Sequence, residues 1–244
     1  MTRNLQRLSQ LITTFGPGSM MDLPTRSVML SGLDRWDMRQ GTWATIDEPR
    51  LVELLQRRLT APGPNGEPPR LPAGMRLSLR TPPVAQDLHA NREPAGVPVS
   101  VFPTWFVCEK VDHVSIAGRE RRRRRLVRWQ DLEPGQGRRF FYGDDGKRTE
   151  VTPIRFVGAC ERGHIQDIDW RWVVHGAKPC QEPMWLEERG TSADPADTFV
   201  ICGCGADALS LQEAFAPRRL GKCGGARPWL GRDAREDCGN HLRL

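Results

Sequence analysis

Apolar positions along this chain come in short runs, and few runs carry a helical period. The clearest exception spans residues 47 to 59, where Leu51, Leu54, Leu55 and Leu59 share one face. Asp47 suits the cap of that helix and Pro49 its first turn. Glu53 and Arg57 stand one turn apart with opposite charge. A packing helix is expected there. A shorter helix is predicted at Leu5-Gln-Arg-Leu-Ser-Gln-Leu-Ile12, stopped by Thr14-Phe-Gly-Pro-Gly-Ser19. This Gly-Pro-Gly reads as a tight turn, with a phosphate-cradling backbone nest or a partner-binding turn as alternatives. It lacks the lysine and spacing of a P-loop.

Apolar runs of strand length occupy 28–33, 101–108, 154–160 and 199–202. Asp167 to Val174 alternates weakly and fits a strand or a short helix, and Ala208 to Ala214 fits a short helix. Gly143-Asp-Asp-Gly146 reads as a hairpin turn between Phe140-Phe-Tyr142 and Val151. Nine prolines fall within 60–98 (Pro62, Pro64, Pro68, Pro69, Pro72, Pro82, Pro83, Pro94 and Pro98), which predicts a long surface loop. Three regions follow. Residues 1–60 form an N-terminal segment, 61–98 the proline-rich loop, and 99–244 a strand-rich region. The fold class is α+β, a strand-rich irregular domain with a zinc-knuckle-like C-terminal region.

Composition adjusts this picture only a little. Apolar residues make up 38% of the 244 positions, and 24 glycines and 20 prolines favour turns over long helices. A core is feasible, and eight tryptophans can anchor it. No apolar run approaches the roughly 18 residues of a membrane span. Met1-Thr-Arg-Asn-Leu5 lacks the apolar centre of a signal peptide. A cytoplasmic protein away from membranes is expected, where cysteines are metal ligands or free thiols more often than disulfides.

Six of the seven cysteines lie after residue 159, mostly beside glycine. Zinc prefers four soft or borderline ligands in a tetrahedron. Cys202, Cys204, Cys223 and Cys238 supply one complete set. Cys160, His164 and Cys180 form a second group, which Cys108 can complete. Arrangements that mix the two groups stay open, because spacing does not choose among them. Cys108 stands alone in sequence, so a buried thiol competes with a ligand role. A Cys160–His164 catalytic pair lacks an orienting acid and an oxyanion motif. Asp167 and Asp169 sit close but form no nuclease motif. A closed structural zinc that contributes folding energy is therefore expected, and not an enzyme.

Arg119-Glu-Arg-Arg-Arg-Arg-Arg125 places six arginines in seven positions. Arginine suits phosphate through its planar fork of donors. Arg119, Arg121, Arg122, Arg123, Arg124 and Arg125 are candidate nucleic-acid contacts. A solvated loop or strand flank, or an acidic protein partner, are the alternatives. The net charge of +6 adds modest support for a nucleic-acid partner.

The chain also resembles the DrmB-like proteins, the zinc-binding subunit of the DISARM anti-phage defence system. The resemblance rests on Arg7-Leu-Ser-Gln-Leu-Ile-Thr-Thr-Phe-Gly-Pro-Gly-Ser-Met-Met-Asp-Leu-Pro24 and on Phe102-Pro-Thr-Trp-Phe-Val-Cys108. It continues in Arg155-Phe-Val-Gly-Ala-Cys-Glu-Arg-Gly-His-Ile-Gln-Asp167, Cys202-Gly-Cys-Gly-Ala206 and Cys223-Gly-Gly-Ala-Arg-Pro-Trp229. Only the N-terminal part of those longer proteins is matched. Val111 stands where a second knuckle cysteine is expected after Cys108. The resemblance implies a non-catalytic accessory protein beside a helicase partner, in a DNA-directed defence complex. A protein-binding scaffold without nucleic-acid contact is the alternative.

Overall fold

Leu126 and Val127 are neighbours on one strand, and each is buried in a different core. Side chains alternate across a strand, so a sheet covered on both faces separates the two. The structure is a computed structural model that describes residues 8–36, 38, 43–72, 74–83, 96–135, 138–190 and 194–244. The start of the first expected helix, at residues 5–7, and residues 84–95 of the proline-rich stretch lie outside these. The described residues divide into two compact units. One holds 17–32 and 99–244, and the other holds 8–16 and the described part of 33–98.

The elements begin with helix α1 (Leu8–Thr13) and the hairpin of β1 (Met20–Leu23) and β2 (Arg26–Leu30). Next come β3 (Thr45–Ile46), α2 (Pro49–Thr60) and β4 (Leu79–Arg80), with β3 and β4 paired antiparallel. Helix α2 has the expected Glu53–Arg57 ion pair, at 2.5 Å. Its cap position is Glu48 rather than Asp47, with no side-chain cap bond. No residue of α2 is buried, and Leu51 and Leu54 of the expected packing face are exposed. Leu55 and Leu59 of that face are half-buried, and so is Val52.

The larger unit continues with β5 (Val99–Val101), β6 (Trp105–Cys108), β7 (Asp112–Ile116) and β8 (Arg119–Arg128). The expected strand 101–108 is therefore two strands, parted at Phe102–Pro103. Proline has no N–H to donate to a ladder. Strand β5 pairs with β2, which brings residues 20–30 into the same unit as the C-terminal region. Strands β9 (Glu133–Gly135), β10 (Arg138–Tyr142) and β11 (Arg148–Thr149) form a small sheet, and 143–146 makes the turn between the last two. After β12 (Val151–Pro153) come β13 (Gly158–Ala159), β14 (Ile165–Gln166) and α3 (Trp170–His175). Strands β15 (Met184–Glu188), β16 (Thr198–Cys202) and β17 (Leu209–Ser210) and helix α4 (Leu211–Ala214) follow.

The main sheet has the order β12-β6-β8-β15-β16-β17, with β7 also on β8, and every pair is antiparallel. One face carries the larger core, in which Leu126, Met184, Leu186, Val200 and Cys202 meet Trp170 and Val173 of α3 and Leu211 of α4. The other face carries Phe106, Cys108, Val127, Leu132 and Val151. The molecule is a strand-rich, irregular α+β fold with few helices and Cys/His clusters in its C-terminal part. Among the described residues, no helix is long and apolar enough to cross a membrane.

The Gly-Pro-Gly segment forms a turn whose amides face protein acceptors. Thr14 and Phe15 donate to the carbonyl of Gln10, and Gly18 donates to Leu30. Three amides around the turn, those of Thr14, Phe15 and Gly18, are thus committed within the protein.

Candidate metal centres

The hairpin of β13 and β14 turns at Cys160 to His164, where Gly163 donates to the Cys160 carbonyl at 2.9 Å and Cys160 to the His164 carbonyl at 3.1 Å. This folds both side chains toward one point. Cys223 and Cys238 arrive there from the C-terminal segment, where Cys223 donates its amide to Asn240. The imidazole Nδ1 of His164 lies 3.3 Å from Cys160 Sγ and 3.6 Å from Cys223 Sγ. Cys160 and Cys238 sulfurs are 4.0 Å apart.

A second group forms where α3 ends near the end of β16. His175 is the last residue of α3, and Cys202 is the last residue of β16. With Cys180 and Cys204 they place four ligand atoms within 4.8 Å of one another, as in the first group. Cys180 and Cys202 sulfurs are 3.6 Å apart, and His175 Nε2 lies 3.3 Å from Cys204 Sγ.

Each group is thus three cysteines and one histidine. In a tetrahedral zinc site with bonds of about 2.3 Å to sulfur, the sulfur–sulfur edge is about 3.8 Å. The separations of 3.3 to 4.0 Å fit that geometry.

The partition differs from the sequence expectation. Cys202 and Cys204 stand apart from Cys223 and Cys238, so the four do not form one set. Cys160 and His164 join Cys223 and Cys238, while Cys180 joins Cys202 and Cys204. The physical reason is tertiary: Cys202 is fixed by the register of β16 on β15, and Cys223 is fixed by pairing with residues near 240. His175 completes the second group and was missed. Its signal was an imidazole five residues before Cys180. Cys108 belongs to neither group. It lies in the core on the opposite face of the sheet, and burial pushes its thiol up to about 12.

Hydrogen bonds beyond the ligand atoms orient both imidazoles. His164 turns Nδ1 to the thiols and Nε2 to the Glu236 carboxylate at 2.6 Å. Glu236 is held in turn by Arg162 and Arg227. His175 uses the other tautomer, with Nε2 toward Cys204 and Nδ1 donating to the Arg171 carbonyl at 2.8 Å. Such partners fix the ring and tautomer of a metal-bound histidine. Burial opposes ionisation of Cys160, but hydrogen bonds from the His164 and Arg162 backbone bring it down to about 7. The backbone of Ala206 and the side chain of His175 bring Cys204 down to about 7. Burial pushes Cys202 and Cys223 up to about 11. A bound divalent ion would hold all of these thiols as thiolates.

Cys160, His164 and Glu236 also have the order of a nucleophile, its base and an orienting acid. Three thiols converge on that group, however, and His164 is only 1% exposed. Three thiols and one imidazole nitrogen within 4.8 Å of one another are the geometry of a coordination set. The two aspartates weighed as carboxylate ligands act structurally. Asp167 accepts from the amide and hydroxyl of Thr104, and Asp169 caps α3 through the amide of Trp172.

The arginine run is strand β8, not a loop. Arg121 and Arg123 bind the fully buried Glu187, which Arg189 also binds. Arg122 and Arg124 bind Glu188, and Arg125 binds Asp144. Arg119 stands at the start of the strand, opposite Ile116.

A family model described as "Domain of unknown function (DUF8724)" matches residues 7–244. Over 54 residues the chain is 33% identical to the protein named "DISARM protein DrmB" from Bacillus paralicheniformis (strain ATCC 9945a / NCIMB 11709 / CD-2). That stretch covers 21% of this chain and 10% of the curated relative.

Proposed function

The chain belongs to the DUF8724 family, and we propose that it is a zinc-stabilised, non-catalytic accessory protein of an anti-phage defence complex. The observation that carries this reading is the pair of Cys3His groups. Closed sets of this composition are structural zinc sites, in which all four positions belong to the protein. They hold together loops that bury little apolar surface, and so contribute folding energy directly. The likeness to a DISARM protein supports the setting, and with it a cytoplasmic location and a helicase subunit as partner.

Contact with DNA is the finer part of the reading. The arginine run was its expected vehicle, but five of those six side chains are engaged by carboxylates. An arginine already held by a carboxylate is a weaker phosphate ligand than a free one. That observation favours the second reading, a protein-binding scaffold, as far as Arg121 to Arg125 are concerned.

Elemental analysis of the purified chain tests the metal reading. Two zinc ions per chain are expected, one lost in Cys160→Ser and the other in Cys204→Ser. A folded, reduced preparation without zinc would overturn it. Capture of the helicase subunit from nuclease-treated extract tests the partner, and no capture by zinc-loaded protein would remove the accessory role.

A further inference from the structure

A second feature of the larger unit is a cavity of 550 Å³ walled by β5, the end of β8, β14 and the segment from 226 to 235. Three guanidinium groups line it, those of Arg128, Arg232 and Arg235. Among the described residues, no ion pair engages any of the three. A cavity of 390 Å³ elsewhere on the unit makes the contrast. Its Arg122 and Arg124 are both bound to Glu188, and Arg155 also lines it.

The rest of the lining adds donors more than acceptors. Ser100 Oγ is buried without a hydrogen-bond partner. A buried hydroxyl left unpaired is costly, so such an atom points to a missing polar neighbour. Gln166 accepts from the amide of Gly224 at 2.8 Å through Oε1, which leaves its NH2 group as a donor. One carboxylate lines the cavity, that of Asp167. Its two oxygens each accept from Thr104, at 2.8 and 2.7 Å, and its charge also attracts Arg128, whose guanidinium lies over the Trp105 ring.

We infer that this cavity binds a phosphate group, carried by a nucleic-acid backbone or by a free nucleotide, with Arg128, Arg232 and Arg235 as its charged ligands. A carboxylate has two oxygens and one charge, which a single guanidinium fork satisfies. Three forks, a hydroxyl and an amide suit an anion with three or more oxygens and a larger charge. The argument does not depend on the metal centres, and metal content monitors them separately.

The test uses the full chain loaded with zinc. Binding of a fluorescein-labelled single-stranded 20-nucleotide DNA is followed by anisotropy, and binding of ATP and of pyrophosphate by calorimetry. The double variant Arg232→Gln/Arg235→Gln is expected to weaken binding at least about tenfold. It should also reduce the salt dependence of DNA binding by about two phosphate contacts. Arg122→Gln should leave affinity unchanged. Binding of ATP with the same loss in the variant identifies a free nucleotide, and binding of DNA alone identifies a nucleic-acid chain. If the double variant loses zinc, the single exposed Arg232→Gln carries the test. No binding of DNA, ATP or pyrophosphate overturns the inference. So does full affinity in the arginine variants, or a loss confined to Arg122→Gln.

Discussion

Gly225 sits where a side chain has no room. Its φ is +64°, and a Cβ there would lie 1.7 Å from the carbonyl oxygen of Glu236. The close approach holds Glu236 beside His164, and so ties backbone packing to ligand orientation. Gly163, in the turn of the same cluster, also has positive φ but meets nothing within 4 Å. Gly163→Ala should therefore cost only about 1–2 kcal/mol, the strain of a left-handed residue. Gly225→Ala should cost well over that and release the ion of its cluster, read as a melting shift with loss of one zinc. Glu236→Gln is expected to weaken zinc at the same cluster by about 10–100-fold, as other histidine partners do. Chelator competition measures this, and the second cluster should be unaffected. At this scale the sequence marked seven of the eight clustered side chains, missed His175, and left the grouping to the fold. Cysteines beside glycines mark ligand turns. The division into two sets depends on where β16 and the segment near 240 end up in space.

Strand β8 shows the same limit for a whole element. Its alternation is real, with Arg121 and Arg123 on Glu187 and Arg122 and Arg124 on Glu188. A period of two is visible in sequence only when the alternating positions differ in type. Six arginines have no such contrast, so the run looked like a solvated flank. The partners Glu187 and Glu188 on β15 were the missing signal. The short strands around 28, 106 and 200 were legible because their apolar runs contrast with turn residues. Glu187 has a pH consequence. Burial pushes its carboxyl up, but the hydrogen bonds of Arg189, Arg123 and Arg121 outweigh burial and hold it below the usual carboxylate range. A depressed folded value means that its stabilisation is complete above the unfolded value of about 4.3 and is lost as pH falls below it. The melting temperature should fall on acidification below that point. Glu187→Gln should flatten that fall and, at neutral pH, cost about 1–3 kcal/mol by leaving three half-buried guanidinium groups without their carboxylate.

For the whole molecule, the main sheet and the metal centres divide the labour of stabilising the larger unit. The smaller core lies under the sheet, and the larger one is shared with Cys223 and Leu242, whereas the segments from 158 to 166 and from 221 to 244 otherwise contain two-residue strands and isolated bridges. A structural zinc is worth roughly 10–16 kcal/mol in small peptides, as much as a typical domain's entire stability of about 5–15 kcal/mol. Treatment with a strong chelator should therefore remove amide-exchange protection from residues 158–180 and 202–244 first. Protection in β6, β8 and β15 should persist longer. Uniform loss everywhere would mean that the sheet depends on the metal as well. The α+β class and strand-rich character could be read from glycine, proline and short apolar runs. The joining of residues 20–30 to the C-terminal unit could not, because the β2–β5 pairing is a long-range contact with no local mark.

The two clusters are nested along the chain. Cys160 and Cys238 lie 78 residues apart, and the His175–Cys204 span of 29 residues falls wholly inside that interval. Each ion would act as a cross-link on the unfolded chain, and closing the inner ring first shortens the outer one. Loop-closure entropy makes that shortening worth about 0.4 kcal/mol, roughly a twofold gain in affinity for the second ion. The ions should thus load with mild positive cooperativity.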